Sequence, residues 1–129
     1  MRYLGIDFGA REVGLAISDP AGRLAFPLKV VKNDARLPEL LADLATEEEV
    51  SVIIIGESLD YGGQPNQIMT AATKLKQTLE QEFKLRVEWE PEWLTSREAE
   101  RELEKDQHSH ARAAAIILRS YLERKNYHA

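Results

Sequence analysis

Residues 3–19 read YLGIDFGAREVGLAISD, and this stretch decides the fold. Tyr3, Leu4 and Ile6 form a short apolar run that ends at Asp7, and Val13, Leu15 and Ile17 form a second, alternating run. Gly5, Gly9 and Gly14 punctuate the two. The pattern predicts a buried strand, a tight glycine turn and a second strand, with one carboxylate fixed at the turn. A carboxylate at the end of a central strand is rigidly placed. Glycines beside it leave no Cβ in the way of a phosphate or a metal. The alternative is that Asp7 only caps the turn of a hairpin.

The rest of the chain extends this beginning. Asp19, Pro20 and Gly22 make a turn, and residues 24–31 form a third strand in which Pro27 marks a bulge or an edge. Leu37, Leu40, Leu41 and Leu44 recur with helical spacing over residues 37–48. Residues 52–55 are a dense β-branched run, expected as a central parallel strand buried on both faces, and Glu57 stands just past it. A loop over 58–66 precedes a long helix over 67–83. Leu85, Val87 and Trp89 alternate with charged residues in a strand with one covered face, stopped by Pro91 and followed by Glu92. Thr95 and Glu98 form a capping box for a short helix. The last helix opens near Ser109 and His110, with a buried stripe at Ala111, Ala114, Ala115, Leu118 and Leu122. The order is β-β-β-α-β-α-β-α-α. It predicts an α/β domain over residues 1–129 with a five-stranded mixed sheet, an antiparallel meander followed by parallel strands, flanked by helices.

Composition narrows the function. A chain of 129 residues, 43% hydrophobic and 30% charged, is one domain with room for a core. It has no cysteine, so disulfides and thiolate metal sites are excluded. Met1 and Arg2 lead directly into a strand and no apolar run nears the roughly 20 residues of a membrane span, so a cytoplasmic protein without signal peptide is expected. The net charge of −5 argues against non-specific coating of nucleic acid. It is compatible with an enzyme that meets phosphate through carboxylates and bound cations. The segment from residue 112 to the end carries a local charge of +3.

In open α/β sheets, sites form beyond the carboxyl ends of the strands. Asp7, Glu57 and Glu92 all hold such positions. Carboxylates suit Mg²⁺ or Mn²⁺, which can activate a water and stabilise the leaving oxygen of a phosphodiester. The competing view is that Glu57 and Glu92 are solvated loop acids. His110 could face the same site as a ligand better suited to Mn²⁺ than to Mg²⁺, or as a proton relay; otherwise it is a polar residue at an exposed helix start. Arg11 and Arg97, with Arg2, Arg23 and Lys29, are candidate phosphate contacts.

With these residues in place, the chain resembles the YqgF/RuvX family. The resemblance covers nearly the whole chain. It is carried by GIDFG (5–9) with VGLAISD (13–19), by IIIG (53–56), by LTSREAER (94–101) and by AAAIILRSYL (113–122). It implies an RNase H-like fold and a divalent-metal-dependent nuclease acting at the 5′ end of pre-16S ribosomal RNA in a bacterial cytoplasm, with some members treated as Holliday-junction resolvase-like. The family's first-strand Asp matches Asp7. Its Asp-Glu-Arg becomes Pro91, Glu92 and Trp93, so only the Glu is kept. The Asp that opens its last helix falls at His110, and its Arg after the first glycine turn falls at Glu12, beside Arg11. Its Leu-Pro after the fourth strand is Glu57 and Ser58. The expected catalytic and metal-binding set is therefore Asp7, Glu57, Glu92 and His110, with Arg11 and Arg97 on the substrate. The expected partners are structured RNA or branched DNA and pre-ribosomal particles, with the chain a monomer or a homodimer. The alternatives are a resolvase-like DNA nuclease and a non-catalytic assembly factor that keeps the fold. An ATP-binding domain of the sugar-kinase type shares GIDFG but needs a second phosphate loop, which this sequence lacks.

Overall fold

The computed structural model describes residues 1–57, 67–91 and 109–127. Strands β1 (Arg2–Phe8), β2 (Glu12–Ser18) and β3 (Ala25–Lys32) form the meander. Helix α1 (Leu37–Glu47), strand β4 (Val50–Glu57), helix α2 (Gln67–Gln81), strand β5 (Arg86–Pro91) and helix α3 (Ser109–Tyr127) follow. The sheet order is β3-β2-β1-β4-β5. β1 is antiparallel to β2, and β4 runs parallel to both β1 and β5. This is the expected mixed sheet. The capping-box helix and Glu92 and Arg97 lie outside the described residues.

Strand alternation splits the core in two. Leu4, Ile6, Val13, Leu15, Ile53 and Ile55 point to the face covered by α1 and α2, where Leu37, Leu41, Leu75 and Leu79 meet them. Tyr3, Ala16, Val52 and Ile54 point to the other face, covered by α3 through Ala114, Ile117, Leu118 and Leu122. Both faces of β4 are therefore buried, with Val52 to Ile55 all at 1% exposure or less. The β3 strand is an edge, and its register with β2 shifts between Leu15 and Ala16, opposite the segment that Pro27 begins. A proline cannot donate to the ladder, so it settles at such a break.

Local chemistry sets the joints. Asp19 Oδ1 accepts the N–H groups of Arg23 (2.7 Å) and Leu24 (2.9 Å), which closes the β2–β3 turn, and Gly22 takes a positive φ of 69° there. Asp34 Oδ1 accepts the Arg36 N–H (2.9 Å) at the start of α1, and Pro38 sits in the first turn. Helix α2 stops at Gln81 rather than at Phe83, because Lys84 turns left-handed (φ 57°) and the Leu85 N–H returns to Leu79 O.

The expectation for β5 is corrected. β5 has more than one covered face, because α3 packs against its polar side. Glu90 is 4% exposed; its Oε2 accepts the Ser120 hydroxyl (2.9 Å), and Arg124 Nη2 stands 2.5 Å from Oε1 as an ion pair. Tyr121 donates its hydroxyl to Glu88. A buried carboxylate costs several kcal/mol unless it is paired. Arg124→Ala is expected to destabilise the fold by about 1.5–3 kcal/mol. In an Arg124→Ala/Glu90→Gln double variant, much of that loss should return, because the orphaned charge is gone. Urea melts of the four proteins check this. Strictly additive losses would mean that Glu90 is not held by Arg124.

Candidate active site

Asp7 sits one residue before the end of β1, the central strand, at the carboxyl edge of the sheet. Alternation turns it to the α3 face, with Tyr3 and Gly5. In the register with β2 it lies opposite Gly14. Helix α3 runs back along the sheet, so its first turn lies over this edge. His110 Nδ1 stands 3.1 Å from Asp7 Oδ2, across 103 residues of sequence. Asp7 is 21% exposed and His110 40%, so the pair lies at an open but partly covered edge. Burial pushes the Asp7 carboxyl above its ordinary range, and the hydrogen bond and charge of His110 pull it part of the way back.

The glycines have a different task from the one the sequence suggested. A Cβ on Gly14 would fall 1.9 Å from His110 O, and one on Gly5 would fall 2.8 Å from Leu118 Cβ and 2.9 Å from Ala114 O. They give passage to α3, not to phosphate. Because β1 and β2 have no side chain at these points, the helix settles onto the sheet and brings His110 to Asp7. Gly9 belongs to the turn itself: its carbonyl accepts a hydrogen bond from Asn33 Nδ2 (2.7 Å), and the Asn33 N–H binds Arg11 O (2.9 Å). Asn33, which no sequence motif singled out, thus ties the end of β3 to the turn that follows Asp7. Only its place after a strand could have marked it.

The other expected residues are distributed as follows. Glu57 closes β4 and lies opposite Pro91 of β5 in the register. Alternation assigns it to the face of Ile53 and Ile55, and its side chain makes no hydrogen bond or ion pair with a described residue. Glu92 and Arg97 lie outside the described residues. Arg11 is exposed in the turn beside the pair. Arg2 is at the opposite end of β1, where its Nη1 binds Glu48 O (3.1 Å), and Arg23 is in the distal β2–β3 turn. The basic end of α3 is also distal. Lys125 is fifteen residues past His110, about 22 Å along the helix, and it binds the Tyr3 hydroxyl (2.6 Å). Its charge therefore does not belong to the candidate site. Among the described residues no three His, Cys, Asp or Glu side chains group closely enough to hold a metal, and no helix is long and apolar enough to cross a membrane.

The fold has known counterparts. In overall shape the chain is similar to Thermus thermophilus RuvC in complex with a Holliday junction substrate, at a TM-score of 0.65 and 17% identity over 98% of this chain and 96% of that one. The fowlpox virus Holliday junction resolvase aligns at a TM-score of 0.56 and 16% identity, over 96% and 99%. At these identities the likeness is one of fold, and the RNase H-like fold implied by the sequence resemblance is the fold found. In sequence, the chain is 36% identical to a protein of Maridesulfovibrio salexigens named "Putative pre-16S rRNA nuclease", over 96% of this chain and 99% of that one. A protein of the same name from Anaeromyxobacter is 34% identical, over 95% and 97%. A family model described as "RuvX: Holliday junction resolvase" matches residues 1–124. With that match spanning nearly its full length, the chain belongs to the RuvX family.

Proposed function

We propose that this chain is a divalent-metal-dependent endonuclease that trims the 5′ end of pre-16S ribosomal RNA, in the cytoplasm and on pre-ribosomal particles. The observation that carries the reading is the Asp7–His110 pair at the carboxyl end of the central strand. The full-length relatives named for that substrate support the choice of RNA.

The Asp7–His110 pair supplies two of the donors that a cation needs. Asp7 offers carboxylate oxygen and His110 an imidazole nitrogen, a pair that suits Mn²⁺ better than Mg²⁺. Asp7 and His110 would hold the ion, and Glu92, next in sequence after β5, is the acid proposed to join them; Glu57, which strand alternation turns to the other face of the sheet, would reach them only around the sheet edge, and its place in the set is decided by the test below. A cation held there supplies a Lewis acid and lowers the pKa of a bound water. The chain's own residues do the rest. The sheet edge fixes Asp7, α3 fixes His110, the Asn33 clamp holds the turn that carries Arg11, and Arg11 and Arg97 are proposed to meet phosphate.

The test is cleavage of labelled precursor rRNA and of a four-way DNA junction, each with Mg²⁺, with Mn²⁺ and with EDTA. Cutting of the RNA with Mn²⁺, abolished by EDTA, is the expected result. Junction cutting without RNA cutting would make the chain a resolvase, which needs a dimer to cut two symmetric strands. Glu57→Gln and Glu92→Gln, run alongside, remove from the set any acid whose loss leaves the rate unchanged.

A further inference from the structure

On the face of the sheet opposite Asp7, at the same edge, α1 and α2 leave a cleft of about 390 Å³. Its apolar walls are Phe8, Leu37 and Leu75, and its polar rim includes Asn33, Lys74 and Thr78. The size and the mix of apolar walls with a few polar groups are those of a small-ligand site. Phe8 is the residue after Asp7, so the two Cα atoms are about 3.8 Å apart and the side chains leave the strand on opposite sides. Building on the nuclease function proposed for Asp7 and His110, we propose that this cleft receives an unpaired base of the nucleic-acid substrate, within one or two nucleotides of the phosphate at Asp7.

Three observations favour this occupant. Phe8 is an aromatic, partly buried side chain at the cleft wall, and base–aromatic stacking tolerates any base. The surrounding charge is complementary to a phosphate backbone. Lys74 on the rim, Arg36 at the start of α1, Lys32 at the end of β3 and Arg11 in the turn are all exposed, and none forms an ion pair with a described residue. The acid at the rim, Asp34, keeps its charge while its Oδ1 accepts the Arg36 N–H, and these four cations outnumber it. A strand passing over the sheet edge would thus place a phosphate on the α3 side and a base on the α1–α2 side. A base inside a duplex is stacked and cannot enter, so the cleft selects for unpaired nucleotides next to the cut.

The experiment uses a short single-stranded RNA with 2-aminopurine one or two nucleotides from the cut position, and a fully paired duplex of the same sequence. Binding is followed by fluorescence for the wild-type protein, for Ala71→Leu, which fills the cleft from an exposed position on α2, for Lys74→Glu and for Phe8→Leu. The expected results are quenching with the single strand, at least about tenfold weaker binding in Ala71→Leu and Lys74→Glu, loss of quenching in Phe8→Leu, and weaker binding of the duplex. RNA binding and quenching unchanged in all three variants would overturn the inference and leave the cleft to a segment of another protein. Equal binding of duplex and single strand would also overturn it. Cleavage assays separate the cleft from the nuclease function itself. A wild-type enzyme that cuts while the cleft variants bind and cut normally removes only the cleft. Quenching in a protein that never cuts removes only the nuclease.

Discussion

Replacing Asp7 with Asn is expected to abolish cleavage while leaving the folded chain at least as stable as the parent. The loss of activity should exceed about 100-fold, the upper size of the effect produced by the outer partners of metal ligands alone. The stability side follows from burial. The folded protein holds the Asp7 carboxyl above its ordinary range, so ionising it at neutral pH costs folding free energy. The native state binds more protons than the unfolded chain between the ordinary carboxylate pKa and the raised one. Stability therefore falls as pH rises through that window and stays reduced above it. Asn carries no such cost and retains a donor and an acceptor for His110. The variant's advantage should be full at neutral pH and vanish below the ordinary carboxylate range. Thermal melts from pH 3 to pH 8, with the cleavage assay, measure both. A variant that cuts normally would remove Asp7 from the chemistry. One markedly less stable at pH 7 would show that the His110 contact outweighs the burial.

The second large effect is expected at Gly14, which touches no substrate. A Cβ there would lie 1.9 Å from His110 O, 2.1 Å from His110 C and 2.8 Å from Ala111 N. These are backbone atoms, so no rotamer change relieves the clash. The first turn of α3 must lift from β2. Gly14→Ala is expected to cost about 3 kcal/mol, the upper part of the usual range for overpacking. It should also lower cleavage well below the folded fraction at the assay temperature, because lifting the turn draws His110 away from Asp7. Urea melts give the first quantity, and rates normalised to folded protein give the second. Parent-like melting would mean that α3 does not seat on β2 at this point. A normal rate would mean that His110 need not stand at Asp7.

Much of the architecture was written in local pattern. Alternation marked β2 and β5, continuous apolar runs marked β1 and β4, and leucine spacing marked α1, with three of the four expected leucines buried and Leu40 packed against the core. Pro27 announced the β3 edge and its register break. Asp7 was legible because the apolar run before it buries the strand, which pins the carboxylate at the sheet edge instead of leaving it in solvent. Less of the candidate site was legible. Nothing near His110 indicates that its ring meets a carboxylate 103 residues away. Glu90 looked like one more solvated acid of an alternating strand, and its burial depends on Ser120 and Arg124 of a helix far along the chain.

By itself, the sequence determined the five strands, the three described helices, the order of these elements and the acid at the end of the first strand. These depend on interactions between residues a few positions apart, where side-chain periodicity and turn chemistry act directly. The tertiary structure alone decided that α3 covers the face of the sheet that carries Asp7 and Glu90, that the glycines of β1 and β2 make room for α3, that the first turn of α3 and not its basic end lies over Asp7, and that a cleft opens behind Asp7. These depend on how closely a helix can approach a sheet, and that distance is set by side-chain volumes brought together from opposite ends of the chain.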